Sequence, residues 1–599
     1  MKKLLITICL GLLALGSAWA DALIRYTVSM PEPHTHYFEV TMEITDQRDN
    51  TLTVVLPSWT PGSYLLREFS KSLEEFEVTD QNGRALPFTQ TTKSEWQITR
   101  NRASTVRISY RIYAYELTVR TSFLNADHGY FNGTNLFLYL DGHLDLPAEV
   151  TIEPYKDWSR VSTGLKAVPG KPFTFSAPDY DVLVDAPFEI GNHTEFTFEA
   201  AGITHRVAMY GWANYDEASL KKQMAQVVEA CTDVFGGENP NDDYLFIVHN
   251  LSRGGGGLEH LNSTTLQTSR FAYSPSQVNG FLNLTAHEYF HLWNVKRIRP
   301  QALGPFDYTQ ENYTYHLWVM EGFTSYYAGV ALQRASITTE DDFINATFNL
   351  INSVEGRPGS RVQPVAMASF DTWIKQYRPN ENSYNTTISY YGKGQVLAGL
   401  LDLIILHHTQ GEKSLDDVMQ YLWEFYKKED RGFTDEELLE AFETVAGIEM
   451  DDWFEQHVFG TERPDYETIF GYAGILITDE LAGNTTPYWG GSLSSEGGIV
   501  KVNNLYRGAT AYDGGINVND EILAVNGFRV RSKNDIDRYM EMTGVGDTIE
   551  ITVSRDDIVQ TLSMVVKPIN RPRLTPRLDP RMTSAQRNVL DTWLRKMGE

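Results

Sequence analysis

The sequence predicts a multidomain α+β protein: an N-terminal antiparallel β domain, a mostly helical middle and a smaller β domain behind it. Three observations predict this. The first third alternates apolar and polar residues with period two, as in Tyr37–Ile44, Thr51–Leu56 and Val106–Tyr110, the mark of half-buried strands. Near Tyr215 the period changes to 3.6 and holds to about Phe459. From about Gly471 short alternating runs return, rich in glycine.

The elements follow in order. Residues 21–206 read as a sandwich-like domain, its strands separated by Gly, Asn, Asp and Pro clusters. Residues 207–465 open with a helix over Glu217–Phe235, ended by Gly236-Gly237, and a strand over Tyr244–His249. Helical segments over Leu284–Val295, Tyr313–Ala335, Gly394–His408 and Ser414–Lys427 come next. Residues 466–568 carry strands at Ile499–Val502, Glu521–Val525 and Thr548–Val553 and a helix at Asn534–Met542. Residues 569–599 are a connector rich in Pro and Arg, then a short helix capped by Ser584.

Composition narrows the function classes. At 599 residues, 42% hydrophobic and 22% charged, the chain is globular with material for several cores. Its 51 Lys and Arg against 78 Asp and Glu give a net charge of −27. That balance excludes nucleic acid as a partner, because neutralising phosphates needs a cationic surface. It suits a substrate carrying positive charge.

Residues 1–20 read as a cleaved secretory signal peptide: Lys2 and Lys3, the apolar run Leu4–Leu15, then Ala18-Trp19-Ala20. An uncleaved anchor is the competing reading, although the run falls short of the twenty or so residues that span a bilayer. The expected location is the periplasm or the extracellular space, with no membrane span after removal of the leader. Cys9 leaves with the leader, so Cys231 stands alone and no intramolecular disulfide forms. Its place in the amphipathic run Ala225–Val234 makes it a buried structural thiol.

The chemistry centres on His287-Glu288-Tyr289-Phe290-His291. On a helix, residues four apart face the same spot, so two imidazoles converge there as two-thirds of a zinc site. Glu288, on the next row, is placed to deprotonate a water that the metal activates. A His six residues after His291 would supply a third ligand, but that position is Arg297. The next candidate is Glu321, in Leu317-Trp318-Val319-Met320-Glu321-Gly322-Phe323, since a Glu among apolar neighbours is costly to bury without a cation. His316 remains open as an alternative ligand.

H-E-x-x-H followed on a second helix by W-x-x-E-G-F resembles the gluzincin zinc metallopeptidases. With a trailing PDZ domain, the chain is similar to the glycyl-aminopeptidase family (clan MA, peptidase family sixty-one). The resemblance implies a thermolysin-like, mostly α catalytic domain over 207–465, a PDZ domain over 466–568 and one zinc ion per chain. Gly254–Gly257 with Leu258-Glu259-His260 stands where the clan carries G-x-M-E-N, on an edge strand flanking the substrate. Glu259 there supplies a carboxylate for a free α-ammonium. Gly256 and Gly257 let the backbone approach a peptide, and His260, where Asn is usual, offers an imidazole to the substrate backbone. Ser389-Tyr390-Tyr391-Gly392-Lys393-Gly394 matches the segment of the catalytic tyrosine, which the motif assigns to Tyr391 over Tyr390. Its hydroxyl would stabilise an oxyanion.

The PDZ resemblance rests on Asn519-Asp520-Glu521-Ile522-Leu523-Ala524-Val525-Asn526-Gly527. A peptide ligand and an intramolecular contact are both open for that domain. The expectation is an exported zinc aminopeptidase acting on peptides with a free N-terminus, with His287, His291 and Glu321 on zinc. Glu288 serves as base, and the family implies small first residues, Gly or Ala. Two alternatives stand beside it: an endopeptidase fed by the PDZ domain, and a non-catalytic peptide-binding protein.

Overall fold

The structure is a computed structural model that describes residues 23–45 and 47–597. The expected leader, residues 1–20, lies outside the described residues. The period-two runs form strands because each buries one face: in Tyr37–Thr45 the side chains of Phe38, Val40, Met42 and Ile44 are buried. This strand sits inside a seven-stranded sheet with Ile24–Ser29 and Thr105–Tyr113 on its two sides. Its pairs are antiparallel except Ile24–Ser29 with Ala148–Glu153. Two four-stranded sheets complete the N-terminal domain.

A five-stranded sheet starts the next domain, in the order Thr194–Ala200, Ile203–Tyr210, Asp243–Leu251, Ser263–Ser269, Gly257–Glu259. The expected boundary at 206 is therefore corrected: it cuts the strand Ile203–Tyr210, which pairs in parallel with Asp243–Leu251. The alternation of 194–210 continues that of the preceding domain, so periodicity gave no sign of the change of sheet. Parallel neighbours need a crossover, and the helix Glu217–Asp233 supplies it. Asp216 caps that helix through the Ser219 amide, and Leu220, Met224, Val227, Val228 and Cys231 are buried at helical spacing. Cys231 is fully buried and burial pushes its thiol pKa up, so it is an inert packing residue.

Four helical segments then build the core. The motif helix, Val278–Phe290, starts earlier and stops sooner than its expected span. The expected span Tyr313–Ala335 is two helices, Leu317–Met320 and Gly322–Arg334, meeting at Glu321. The tyrosine helix, Tyr390–His408, crosses Gly322–Arg334 where Gly322 lies against Gly394; a Cβ on either would collide with the facing backbone. That close approach draws the start of the tyrosine helix over Glu321.

The PDZ domain has its own sheet, running from Gly491–Glu496 to Ile558–Val565, around Val500, Val502, Ile522, Ile551 and Val553. Two side-chain bonds tie it to the helical domain. The Asn385 amide donates to the Leu505 carbonyl at 2.8 Å and accepts from the Arg507 amide at 2.8 Å. The strand Ile475–Asp479 lies outside the PDZ sheet and pairs with Leu574–Leu578, part of the expected connector. The last helix, Ser584–Trp593, is capped by Thr583, not by Ser584 as expected, through the Gln586 amide. It folds back into the catalytic core. Trp593 Nε1 donates to the Tyr326 hydroxyl at 3.0 Å, which donates to Asp402 at 2.6 Å, and Gln333 donates to the Leu594 carbonyl at 2.8 Å.

Trp593 is buried against Phe343 and Phe470. Trp593→Ala is expected to cost about 3–5 kcal/mol, the range for a buried aromatic truncated to Ala. Denaturant unfolding of the metal-loaded protein measures it; a cost under about 1 kcal/mol would mean the helix is only laid on the surface.

Candidate active site

The motif helix, the edge strand Gly257–Glu259, the two helices meeting at Glu321 and the tyrosine helix enclose a cleft of about 430 Å³. The N-terminal domain closes it with Gly62 and Arg120. The helical spacing of His287 and His291 brings their Nε2 atoms to 3.2 Å, and Glu321 Oε2 lies 3.3 Å from each. His291 Nδ1 donates to the Asn294 carbonyl at 2.7 Å, which leaves its Nε2 with a lone pair. Asn294 is held in turn by its amide, which donates to the Val319 and Met320 carbonyls at 3.0 and 3.2 Å. The ligand-bearing loop is thus bonded to the segment that ends in Glu321.

Three lone-pair atoms this close repel unless a cation sits among them. Separations of 3.2–3.3 Å match the edge of a tetrahedron with metal–ligand bonds of about 2.0–2.1 Å. Glu321 Oε2 is buried without a hydrogen-bond partner, as a metal ligand awaiting its ion would be. Nitrogen, nitrogen and carboxylate oxygen, only one of them on the rim, form a donor set suited to zinc. His316, the alternative ligand, turns away and donates from Nε2 to Asp435 at 2.7 Å.

Glu288 is 4% exposed, and its Oε2 has no partner. Burial raises its carboxyl pKa to about 8, with Glu259 and Glu321 adding to the rise against the pull of His291. Glu259, 4% exposed, comes within 4.8 Å of both Glu288 and His291, and its Oε1 is likewise buried and unpartnered. Gly257 must be glycine, since a Cβ there would overlap the Glu288 carboxylate. Gly256 also lines the cleft.

Of the two tyrosines, Tyr390 is fully buried and accepts from Thr372 at 3.1 Å, whereas Tyr391 lines the cleft with its ring 6.3 Å from that of His287. Burial, reinforced by Glu321, holds the Tyr391 pKa well above its usual value, so the hydroxyl keeps its proton. His260 does not join them, which corrects the expectation of a substrate contact. It is 1% exposed, and Nδ1 donates to Asp185 at 3.1 Å, beside Lys296. Successive side chains of a strand point to opposite faces, so with Glu259 facing the cleft its neighbour faces away.

Sequence reasoning missed Gly62, Arg120, Ser325 and Gln395, which also line the cleft. Gly62 and Arg120 come from the other domain and lie in no motif. Thr60-Pro61-Gly62-Ser63 reads only as a turn. Ser325 is four residues after Glu321, one turn into the helix that Glu321 precedes, and that spacing is the signal that would have found it.

Comparison with known proteins places this geometry. A family model for the Peptidase M61 N-terminal domain matches residues 25–192, one for M61 glycyl aminopeptidase matches 280–397, and one for a PDZ domain matches 487–566. An aminopeptidase N family protein of known structure from Idiomarina loihiensis is 30% identical, with a TM-score of 0.86 over 95% of this chain and 100% of its own. An M1 zinc metallopeptidase from Deinococcus radiodurans is more distant, at 15% identity and a TM-score of 0.46 over 74% of this chain and 94% of its own. No curated protein sequence matches the chain. The fold and the cleft define a metallopeptidase with a C-terminal PDZ domain. The chain belongs to the M61 glycyl aminopeptidase family.

Glu321→Ala is expected to lose zinc, because two imidazoles leave the ion under-coordinated. Metal analysis after dialysis against micromolar free zinc checks it; stoichiometric zinc in the variant would require another ligand. Glu288→Gln is expected to keep zinc while turnover falls about a thousandfold or more, the loss of a general base. Metal content measured beside activity separates the two roles.

Proposed function

We propose that the protein is an exported zinc aminopeptidase that removes small N-terminal residues, Gly or Ala, from peptides with a free amine. His287, His291 and Glu321 would hold the zinc. Zinc held there would supply a Lewis acid for the scissile carbonyl and would lower the pKa of a water toward about 7. Glu288 takes the proton of the attacking water and passes it to the leaving amine. Its carboxyl is buried at the cleft with Oε2 unpartnered, so an acceptor atom is open for that proton. Tyr391 donates its hydroxyl proton to the oxyanion of the tetrahedral intermediate. Glu259 pairs with the substrate's α-ammonium, and Gly256 and Gly257 admit the peptide backbone alongside the edge strand.

The observation that carries the exopeptidase reading is Glu259. A buried carboxylate oxygen without a partner, at the cleft edge and beside the base, needs a cation to offset its desolvation. A substrate ammonium supplies one. Export rests on Lys2-Lys3, the apolar run Leu4–Leu15 and Ala18-Trp19-Ala20. Among the described residues no helix is long and apolar enough to cross a membrane. The PDZ domain's part is an intramolecular contact: Asn385, which it grips, lies six residues before Tyr391.

Glu259→Gln is expected to lower kcat/KM on free-amine aminoacyl reporters by roughly two to three decades with zinc content unchanged. Acetylated reporters should be poor substrates for both enzymes. Equal hydrolysis of free and acetylated peptides by the wild type would replace the aminopeptidase with an endopeptidase.

A further inference from the structure

The carboxylate of Glu259 has a neighbour from the other domain. Thr60-Pro61-Gly62-Ser63 is a tight turn of the N-terminal domain, closed by the Ser63 amide donating to the Thr60 carbonyl at 3.1 Å. Gly62 at its tip has φ +83°, and a Cβ placed there would lie 2.6 and 2.8 Å from the two carboxylate oxygens of Glu259. It would also come within 2.7 Å of Leu258 Cδ1. The turn is fixed on both flanks to the catalytic domain. Before it, the Ser58 amide donates to the Tyr308 carbonyl and Trp59 Nε1 to the Asp307 carbonyl, each at 2.8 Å. After it, Tyr64 packs with its ring 5.7 Å from Trp373, which also meets Trp59 at 5.1 Å. Trp59 and Tyr64 are 0% and 2% exposed, so the turn is a wall and not a flap.

We propose that Gly62 is a specificity-determining residue: with Glu259 it forms a closed seat for an unsubstituted primary ammonium and ends the cleft one residue upstream of the scissile bond. The proposal rests on the reading of Glu259 as the ammonium partner. Any side chain at residue 62 would overlap the Glu259 carboxylate, so only glycine leaves its oxygens to a ligand. On this reading, a residue ahead of an amine seated on Glu259 would meet the turn at Gly62. The substrate class is therefore peptides whose first amine is free and carries no alkyl group. Charge alone does not confer acceptance, because an N-methylated amine keeps its charge and adds one carbon.

Two measurements test this. The first uses wild-type enzyme with alanyl, N-methylalanyl and acetylalanyl reporters. The seat requires the N-methylalanyl reporter to be at least about a hundredfold poorer than the alanyl one, the upper range for one carbon excluded sterically. Hydrolysis of the N-methylalanyl reporter within threefold of the alanyl one, with the acetylated one still rejected, would overturn the closed seat and leave the Glu259 pairing intact. Hydrolysis of the acetylated reporter at the alanyl rate would overturn that pairing, and the seat with it.

The second compares Gly62→Ala with Gly83→Ala. Gly83 has φ +77° in the same domain with nothing within 4 Å of its Cβ position, so it reports the backbone strain alone. Gly62→Ala should lose at least thirtyfold in kcat/KM, chiefly through KM, with zinc content and unfolding midpoint like those of Gly83→Ala. Combined with Glu259→Gln it should fall no further than Glu259→Gln alone, within threefold, because both changes remove one interaction. Equal activity of the two alanine variants, or losses that multiply in the double variant, would overturn the proposal. Should Gly62→Ala fail to fold, the N-methylalanyl arm decides.

Discussion

Three carboxylates, Glu259, Glu288 and Glu321, are buried around two imidazoles, and the rest of the catalytic architecture follows from keeping that charge in place. Isolated buried carboxylates would take up protons or pull water in. Here Glu321 lies 3.3 Å from both imidazoles, Glu288 answers burial with a raised pKa, and Glu259 lies within 4.8 Å of His291 with Arg120 in the same cleft. The neighbourhood carries the imprint of this demand. Burial favours the neutral form of His291, yet Glu259 and Glu321 overcome it and raise its pKa. His287, on the rim, is lowered by burial. A single divalent ion satisfies both rings and Glu321 at once, which a proton on one ring does not.

Holding such a cluster open requires rigid walls, and they come from contacts that exclude side chains. Gly322 against Gly394 sets the distance between the helix that follows Glu321 and the one that starts with Tyr390 and Tyr391. Gly257 lets the edge strand lie on Glu288. The two domains are joined with the same economy behind the cleft. Glu189 of the N-terminal domain accepts from His128 at 2.8 Å and from His249 of the catalytic sheet at 2.9 Å, all three side chains essentially inaccessible. The rigidity that presents Gly62 to Glu259 therefore has two anchors, this junction and the aromatic packing of Trp59.

Much of the site was legible in the sequence because it is local. His287, Glu288 and His291 share one helix, and Glu321 sits in a short apolar segment whose only charge it is, so spacing and composition suffice. Tyr391 and Glu259 needed the family resemblance, since nothing in S-Y-Y-G-K-G or G-G-G-G-L-E states a role by itself. Gly62 and Arg120 were invisible: they reach the cleft only through the docking of one domain on another, and no local pattern encodes that. The fold shows the same division. The three-part order was readable from the change of period, but residues 194–210 alternate like the strands before them while belonging to the next sheet. The sequence marks the last helix only as a short capped segment, yet its Val589, Leu590 and Trp593 belong to the catalytic core.

That last helix has a consequence for the order in which the molecule is made. A polypeptide is synthesised from its N-terminus, so residues 584–593 emerge after every part of the catalytic cleft has been laid down. Until they arrive, the face formed by Tyr326, Gln333 and Phe343 is unclosed and the Tyr326 hydroxyl, which donates to Asp402, lacks the donor that Trp593 supplies. The helix Gly322–Arg334, which continues from Glu321, is among the elements left without that support. Until residues 584–593 dock, the chain thus carries its cleft residues beside an unclosed core, and topology makes the last helix the piece that closes it.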